Sequence, residues 1–495
     1  MYSSTLIKEL PALAWLFSLS PSGEMKLIHG RAVEKTPTGF LEGVYADEGA
    51  EDFSQATNVF GSGIQISEKH CTLVSPSHTL EAMFLYRHRG GWNVSNSLAL
   101  LLEHCQIAIP WNLRYGGFFA SAGLGIRNYE KCLFRTAAGE VLRIVCSNVQ
   151  FVKNGEYRLM DKPMPPAFPS YRDYIEYLEK TLRETFALAA RPERQSVYQP
   201  LATCSSGYDS SAGAALARRL GYAEAITLRT ARGGASDTGR WVGEALGLNV
   251  LEVDRIDSVA ESFAPAAPFI ATGMGGQDYC FHGFAPLLEQ KILLTGFHGD
   301  KIWETKVEPG DVLARGDVSG SSLQEFRLWK NFLHVPVPMI GARRHADIAR
   351  ISRSPEMAPY RLDNDYDRPI PRRLLEESGV PRALFGHRKQ AASLLLFSQP
   401  KLFDAASRQE CESLVPAAWI KSAKSPVHHW VRRGQIRAHR LIKRIGRRVP
   451  AVSALGPKIM PPWLVFEHNH PLASLEFCAA MAKIRADYRQ ALKPE

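Results

Sequence analysis

Hydroxyl side chains, one glycine and one acid follow an apolar stretch near the middle of the chain, in LATCSSGYDSSAGAALARRL. The apolar stretch predicts a strand that ends at Cys204, and the small residues after Asp209 predict a helix. Free N–H groups at a helix start bind anions, and the helix dipole favours negative charge there. This turn is therefore a candidate phosphate site, although a simple capped helix start remains an alternative. The candidate ligands are Ser205, Ser206, Gly207 and Ser210.

Two acids extend this hypothesis to a metal. Asp209 would repel phosphate unless a cation lay between them, and Mg²⁺ is a cation that accepts carboxylate and phosphate oxygens together. Asp300 follows a second apolar stretch in LLTGFHGDKIW. If both stretches are parallel strands, the two acids lie at their carboxyl ends, where open α/β sheets bind ligands. In the alternative interpretation, Asp300 only caps the next helix.

These segments, in this order, resemble the motifs of the asparagine synthetase-like ATP pyrophosphatases. SSGYDSS is similar to the SGGxDS pyrophosphate loop, with Ser206 in place of a glycine. TLRTARGGASDTGRWVGEALGLNVLEVD is similar to the next strand and its return, and the resemblance implies that the strand end, from Leu228 to Thr230, holds the adenine.

Two later segments complete the resemblance. LLTGFHGDKIW is similar to the family's Gly-x-Gly-x-Asp segment, which implies that Gly296 lies beside the nucleotide and that Asp209 and Asp300 both bind metal. PRRLLEESGVPRALFGHRKQAAS is similar to the segment that positions a catalytic lysine, and Lys389 is the matching residue. The resemblance implies ATP as the nucleotide and Mg²⁺ as the cofactor, whereas an isolated lysine of this kind is usually solvated surface.

Departures from the family pattern indicate the reaction. Family members that hydrolyse glutamine carry a cysteine after the initiator methionine, but this chain has Tyr2, and its first cysteine is Cys71. A phenol cannot form the thioester, so we expect no glutaminase activity. Phe297 replaces the glutamate of asparagine synthetases, at a position where β-lactam synthetases and lasso-peptide cyclases vary. The chain therefore resembles these amide-closing relatives more closely.

The expected function is that of an ATP-dependent carbon–nitrogen ligase. It would adenylate a substrate carboxylate, release pyrophosphate and couple the acyl group to an amine. His298, beside Asp300, is a candidate base for that amine, or alternatively a packed histidine. Three alternatives remain open: an intramolecular cyclase of the lasso-peptide or β-lactam type, an RNA-modifying enzyme with the same loop, and a binding protein that has lost catalysis. The sequence does not identify the small-molecule or peptide substrate.

The elements around these residues predict two domains. Short apolar runs with glycine-containing turns fill the first ~155 residues, and NLRYGGFFASAGLGIRNYEKCLFRTAAGEVLRI resembles the end of the family's glutaminase sandwich. The Pro-rich DKPMPPAFPS predicts a linker, Ser170 a helix N-cap, and the chain from Val197 alternates strands with helices. The expected fold is α/β: a degenerate N-terminal glutaminase-type (Ntn-like) sandwich over 1–160, then a parallel-sheet ATP pyrophosphatase domain, similar to the adenine nucleotide alpha hydrolases, with a helical C-terminal region over 170–495.

Composition excludes several protein classes. The chain has 495 residues, of which 45% are hydrophobic and 22% charged, which is unlike disordered, collagen-like or coiled-coil chains. No apolar stretch reaches the roughly 18 residues of a membrane span, and LPALAWLFSL predicts a buried strand. The 8 cysteines are scattered, which favours reduced thiols and a cytoplasmic location.

One segment supplies the net charge of +10. Residues 413–466 contain 11 Lys or Arg and no acid, so the remaining chain is close to neutral. Within HHWVRRGQIRAHRLIKRIGRR an apolar face can form opposite the arginines. We expect this face to pack on its own domain, while contact of the basic segment 421–448 with an acidic partner, nucleic acid or a membrane surface remains an alternative, as does a homodimer.

Overall fold

The computed structural model describes most of the chain. None of its described helices is long and apolar enough to cross a lipid bilayer. All eight cysteines are free thiols, as the sequence predicts. The described residues are 2–46, 52–68, 70–110, 115, 121–152, 155–310, 313–315, 317–362, 364–394, 396, 400–423, 434, 437, 438, 441, 444, 445 and 472–493.

Thirteen strands of the first half form two sheets. The seven-stranded sheet has the order β1-β3-β2-β9-β8-β11-β10, and the six-stranded sheet has the order β13-β12-β7-β6-β5-β4. The strands are β1 Ser3–Leu6, β2 Trp15–Leu19, β3 Met25–His29, β4 Glu34–Thr36, β5 Gly39–Ala46, β6 Asn58–Ile66, β7 Cys71–Val74, β8 Met83–His88, β9 Gly91–Ser95, β10 Cys132–Thr136, β11 Gly139–Ile144, β12 Ser147–Val152 and β13 Glu156–Asp161.

The two sheets pack face to face as a sandwich. Trp15 and Phe17 of β2 share one buried cluster with Phe40 of β5 and Ile64 of β6. Helix α1, Leu98–His104, contacts β8 and β9, and a short 3₁₀ turn forms at Phe53–Gln55. The prediction that all of LPALAWLFSL is a strand is wrong in its first part. β2 begins only at Trp15, because the residues before it form a buried turn.

The linker and the helix after it follow the prediction. Ser170 caps helix α2, Tyr171–Ala189, and its side chain and that of Asp173 form a reciprocal capping box. No helix or strand forms over residues 162–169. Carbonyl groups of this linker accept hydrogen bonds from the guanidinium groups of Arg344 and Arg350, so the linker is fixed against the second half.

A five-stranded parallel sheet forms the centre of the second half. Its order is β16-β15-β14-β17-β18. After β14, the chain adds β15 and then β16 on one side of β14, and it later pairs β17 with the other side of β14. That reversal creates a crevice at the carboxyl ends of β14 and β17, where open α/β sheets bind ligands. The strands are β14 Gln199–Thr203, β15 Glu224–Leu228, β16 Asn249–Val253, β17 Lys291–Thr295 and β18 Leu333–Pro336.

Helices surround this sheet and complete a mixed α/β fold, which confirms the fold class at that level. They are α3 Asp209–Arg219, α4 Arg240–Ala245, α5 Ala267–Ala271, α6 Gly299–Ile302, α7 Leu323–Lys330, α8 His345–Arg353, α9 Pro369–Glu377, α10 Ala405–Ser413, α11 Ala417–Ala423 and α12 Ala473–Ala491. Further 3₁₀ helices form at Tyr279–Leu287, Val337–Met339, Ala342–Arg344, Pro355–Tyr360, Arg382–Leu384 and Pro400–Leu402.

Two helical segments of the alternation expected after Val197 differ from regular helices in type or starting point. Within FAPLLEQ, only residues 284–287 are helical, as the end of a 3₁₀ helix, Tyr279–Leu287, that contains Pro286, and a proline inside a helix removes a backbone donor. Helix α4 begins at Arg240, which leaves Asp237 in the preceding loop. Most of the predicted basic helix within 428–448 lies outside the described residues; Leu441 and Ile445, which are described, are 58% and 41% exposed.

The two halves meet through a buried charged group, here called the interface cluster: Glu42, Glu81 and Arg327. Arg327 of α7 donates two hydrogen bonds to Glu42 of β5, at 2.9 and 2.8 Å, and lies 2.5 Å from a carboxylate oxygen of Glu81. At most 1% of each side chain is exposed. Burial raises the pKa of Glu81 to about 7, helped by the charge of Glu42 and opposed by that of Arg327.

Helix α12 joins the halves a second time. Its Arg485 and Arg489 donate to Glu103 of α1, at 3.0 and 2.7 Å, and its Tyr488 hydroxyl donates to Glu325 of α7 at 2.6 Å. Glu325 also accepts a hydrogen bond from Ser97, the N-cap of α1. Residues of both halves therefore share one hydrogen-bond network around α12.

Candidate functional site

A cavity of about 280 Å³ lies at the carboxyl ends of β14, β15 and β17. Its lining combines polar and charged side chains with aromatic rings. The lining includes Thr203, Ser205, Gly207, Tyr208, Asp209, Ser210, Ile226, Leu228, Asp237, Asp278, Cys280, Phe281, Phe284, Gly296, Phe297, His298, Asp300, Asp317, Ser319, Tyr366, Arg368 and Lys389.

Serine hydroxyls fix the turn between β14 and α3. The Oγ atoms of Ser205 and Ser210 lie 2.7 Å apart, and the Gly207 amide donates to Ser205 Oγ at 3.1 Å. Ser211 donates its hydroxyl to the Ser205 carbonyl at 2.6 Å. These bonds fix the conformation of the turn. The side chains of Ser205 and Ser210 line the cavity, where a ligand's oxygens would meet their hydroxyl groups.

The start of α3 has no side-chain cap. Its N-cap residue is Tyr208, whose side chain makes no capping hydrogen bond, so the first amide groups keep their capacity to bind an anion. Tyr208 is instead buried beside the rings of Tyr366 and Phe385, and its hydroxyl accepts a hydrogen bond from Arg372. This packing anchors the helix start while leaving its amide groups at the cavity.

Two glycines bring the β17 loop against the start of α3. A Cβ atom on Gly296 would lie 2.3 Å from the Ser210 amide nitrogen, and one on Gly299 would lie 2.3 Å from Asp209 Cγ. Any other residue would push the two segments apart. The glycines thus let Asp209 and Asp300 line the same cavity, where the charge of Asp300 helps to raise the pKa of Asp209, and where Arg368 and Lys389 act to lower the pKa of both carboxyl groups.

Each acid has a cationic partner, and the four residues Asp209, Asp300, Arg368 and Lys389 are here called the site cluster. Arg368 donates to Asp209, and Lys389 Nζ lies 3.0 Å from Asp300 Oδ2. Burial raises the pKa of Asp209 to about 6, against the charge of Arg368. Burial also raises the pKa of Asp300, but the Lys389 hydrogen bond and nearby lysines outweigh it and leave the pKa below its usual value.

The two acids suit a magnesium ion that also binds a ligand's oxygens. Asp209 Oδ1 is buried and has no hydrogen-bond partner, so one hard oxygen atom of this carboxylate is not bound by a donor of the protein. Among the described residues, no group of three or more His, Cys, Asp or Glu is arranged to hold a metal. Mg²⁺ keeps water or phosphate oxygens as ligands and needs only one or two carboxylates. The donor set therefore fits Mg²⁺ together with a nucleotide.

The segment that carries Lys389 is tied to the other loops of the site. The Gly386 amide donates to the Ser206 carbonyl at 2.8 Å, and the Ala391 carbonyl accepts from the Arg232 amide at 2.8 Å. Leu394 donates its amide to the Gln277 carbonyl at 2.8 Å. These main-chain bonds fix the path of the segment, whereas the Lys389 side chain itself is 63% exposed.

The cavity lining also contains His298 and two further acids, Asp278 and Asp317. His298 has a left-handed backbone, with φ of 65°, and its side chain is buried. Burial lowers the pKa of His298 to about 4, so the ring is neutral near pH 7. Asp278 is buried and accepts from Gly320 and Ser322, and burial raises its pKa to about 6. Asp317 also lines the cavity, and 49% of its side chain is exposed.

The structure gathers most of the predicted site residues around the cavity, namely Ser205, Gly207, Asp209, Ser210, Leu228, Gly296, His298, Asp300 and Lys389. Two other predicted residues, Ser206 and Thr230, are not part of the cavity lining. Ser206 donates its hydroxyl to Asp237 Oδ1 at 2.8 Å, and Thr230 pairs with Ser236 in an isolated β-bridge. For Ser206 the contribution to the site is the bond that orients Asp237.

Sequence reasoning missed four acidic or basic residues of the cavity: Asp237, Asp278, Asp317 and Arg368. Asp237 lies in a segment that the motif comparison covers, and its acid before a predicted helix was a usable signal. Arg368 precedes Pro369 at the start of α9, but an arginine next to a proline has no distinctive pattern. Asp317 stands alone in a glycine-rich loop, and only the fold brings it to the site.

No family model and no curated protein matches this chain.

Proposed function

We propose that this protein is an ATP-dependent ligase of the asparagine synthetase-like family, which joins a carboxylate to an amine and forms AMP and pyrophosphate. The observation that carries the proposal is the meeting of Asp209 and Asp300 beside a serine-lined helix start at the switch point of a parallel sheet. A phosphate site, two acids and two cations in one crevice are what a triphosphate requires.

In the proposed reaction, a carboxylate oxygen of the substrate attacks the α-phosphorus of ATP. The bond from that phosphorus to the bridging oxygen breaks, and pyrophosphate leaves with the electron pair. The amine nitrogen then attacks the acyl carbon, the carbon–oxygen bond to AMP breaks, and the amine's surplus protons pass to solvent. The adenylate activates the acid, so the residues of the site mainly align the reactants and neutralise charge.

Each part of the cavity supports one role in this reaction. The amides at the start of α3 and the hydroxyls of Ser205 and Ser210 would donate to the departing pyrophosphate. Asp209 and Asp300 would hold Mg²⁺, which neutralises the triphosphate when bound. Arg368 and Lys389 would then exchange their carboxylate partners for phosphate oxygens, since cations stabilise charge that develops on a transferring group.

The first half supports a ligase without its own glutaminase, in a sandwich of the degenerate glutaminase type. Tyr2 donates its hydroxyl to the Gly39 carbonyl at 2.6 Å and packs near Phe40. Burial raises the pKa of this phenol, which makes it a still weaker nucleophile. The amine would therefore come from a second substrate or from the same molecule, as in the β-lactam and lasso-peptide cyclases that the chain resembles.

The decisive experiment is ATP–pyrophosphate exchange measured across a panel of carboxylic acids with Mg²⁺ present. At least one acid should support exchange in the unaltered protein. Asp209→Asn should reduce this exchange by at least about 100-fold, because it removes a metal ligand beside the triphosphate. Asp254→Asn serves as the matched control, since Asp254 is 82% exposed and pairs with Arg229 away from the cavity lining.

Two results would contradict the proposed function. Exchange that is unchanged in Asp209→Asn would mean that the reaction occurs elsewhere. Binding of Mg·ATP without exchange for any acid, including peptides with free carboxylates, would instead indicate a binding protein.

A further inference from the structure

His298 Nδ1 and the Asp317 carboxylate, which both accept hydrogen bonds, face each other in the lining of the site cavity. His298 Nδ1 lies 4.0 Å from Asp317 Oδ1, which is too far for a direct hydrogen bond. His298 Nε2 lies 2.8 Å from the Ser319 carbonyl oxygen. Because a carbonyl only accepts, Nε2 donates this bond, and in the tautomer with its proton on Nε2 the Nδ1 atom keeps its lone pair. The gap between Nδ1 and the carboxylate therefore fits a group that donates to both.

Asp317 lines the cavity with 49% of its side chain exposed, and its Oδ1 accepts a hydrogen bond from the Ser319 amide at 3.0 Å. Within the described part of the chain, His298 is the one basic side chain whose nitrogen lies within 4.0 Å of it. Arg315 acts on His298 and Asp317 only through its field, since its guanidinium is held by Ser321 and by the Ala122 carbonyl. Asp209 and Asp300, in contrast, each have a cation in direct contact.

Aromatic rings form the wall beside this pair. Phe281 and Phe297 have ring centroids 5.8 Å apart, and Phe281 also contacts Phe284 at 5.6 Å. All three line the same cavity as Asp317. An ionised acid next to an apolar aromatic surface suits a ligand with a charged amino group on an apolar body.

We propose that Asp317 and His298 bind the amine substrate, and that this substrate is a primary amine with an apolar, aromatic-sized substituent. The inference rests on the proposed function and names the second substrate class of that reaction. The amino group donates to Asp317 Oδ1 and His298 Nδ1, and its substituent lies against Phe281 and Phe297. Since His298 is two residues from Asp300, the amine is held beside the nucleotide end of the cavity.

Direct binding of a model amine tests this inference without requiring catalysis. The probe is 2-phenylethylammonium, and its matched neutral analogue is 2-phenylethanol, with both dissociation constants measured by ligand-observed NMR at pH 7. The unaltered protein should bind the ammonium at least about tenfold more tightly, because hydrogen bonds to a charged partner exceed neutral ones. Asp317→Asn should remove most of this preference, and the control Asp161→Asn, on the exposed strand β13, should retain it.

Variants of His298 separate binding from packing. His298→Asn keeps an acceptor near the Nδ1 position and suits the left-handed backbone, so it should retain most of the preference. His298→Leu removes the acceptor and should lower the preference severalfold. Thermal unfolding of each variant shows whether the fold persists.

The outcomes distinguish this inference from the function on which it rests. An ammonium preference that persists in Asp317→Asn, or that is absent in the unaltered protein, overturns the amine site. Loss of the preference in Asp317→Asn, with ATP–pyrophosphate exchange retained and the KM of the amine raised at least about tenfold, supports it. Absence of ATP–pyrophosphate exchange contradicts the proposed ligase function. The amine site is then judged from the NMR dissociation constants alone.

Discussion

The interface cluster and the site cluster both join buried acids to cations, but they differ in charge balance and in access to solvent. Glu42 and Glu81 share one cation, Arg327, and all three side chains are sealed between the two halves. Asp209 contacts Arg368, Asp300 contacts both Lys389 and Lys301, and the cluster borders a cavity of about 280 Å³. The sealed group has more acids than cations, whereas each acid of the open group has at least one cation of its own.

This difference indicates which cluster stabilises the fold and which serves a ligand. In the sealed cluster no solvent or ligand can replace a missing partner, so removal of one charge leaves another buried and uncompensated. In the open cluster an incoming phosphate or metal can take over each contact. Stability should therefore depend mainly on the first cluster, and activity mainly on the second.

The largest effect on stability is expected from Arg327→Met. This change leaves Glu42 and Glu81 without a cation inside the protein, and we expect the free energy of unfolding to fall by about 3–5 kcal/mol. Denaturant unfolding measures it. The control is Arg172→Met, which removes an 86% exposed cation paired with Glu176 and should have a much smaller effect. Equal losses of unfolding free energy in the two variants would show that the interface cluster stabilises the protein no more than an exposed ion pair does.

An intermediate effect should appear in the pH dependence of stability. Burial raises the pKa of Glu81 to about 7, so between pH 4.5 and 7 the folded protein retains a proton that the unfolded chain releases. This group therefore makes the protein less stable as pH rises through that window, by roughly 1–3 kcal/mol. Glu81→Gln should gain stability relative to the unaltered protein between pH 5 and pH 8. A difference that stays constant with pH would contradict this.

The smallest effect on stability, with a large effect on activity, is expected from Lys389→Gln. Its side chain is 63% exposed, and exposed ion pairs contribute only about 0–1 kcal/mol. Adenylation should nevertheless fall about 100-fold, because the lysine is expected to stabilise charge on the reacting phosphate. The control is Lys306→Gln, an exposed lysine paired with Asp365, which should leave exchange unchanged. A melting temperature that falls as far as in Arg327→Met would remove the contrast between the clusters.

Local patterns predict much of the fold. The alternation of apolar runs and helices from Val197 onward predicts the parallel sheet, and the Ser170 cap marks the start of α2 correctly. The strand predicted for LPALAWLFSL begins late, at Trp15, because burial of residues 10–14 comes from packing of a turn and not from a strand. Hydrophobicity alone does not separate these two cases.

The candidate site was predictable where contiguous motifs carry it. Ser205 lies in the turn after β14, and Asp209 and Asp300 lie in the first turns of the helices that follow β14 and β17, so their meeting follows from the order of the strands. Arg368 and Asp317 reach the cavity from irregular segments, and no periodicity encodes such an approach. The role of an isolated charged residue in a loop can be inferred only when its neighbours in space are known.

Helix α12 has a consequence for how the protein can be dissected. Its Arg485 contacts Glu103 across 382 residues of sequence, and its Tyr488 binds Glu325 of α7. Neither half could be produced alone without exposing this shared network, and a protein split at the linker should regain its native state only when both pieces are expressed together. Sequence-distant contacts of this kind also make folding slow, since α1 must wait for α12 to be synthesised.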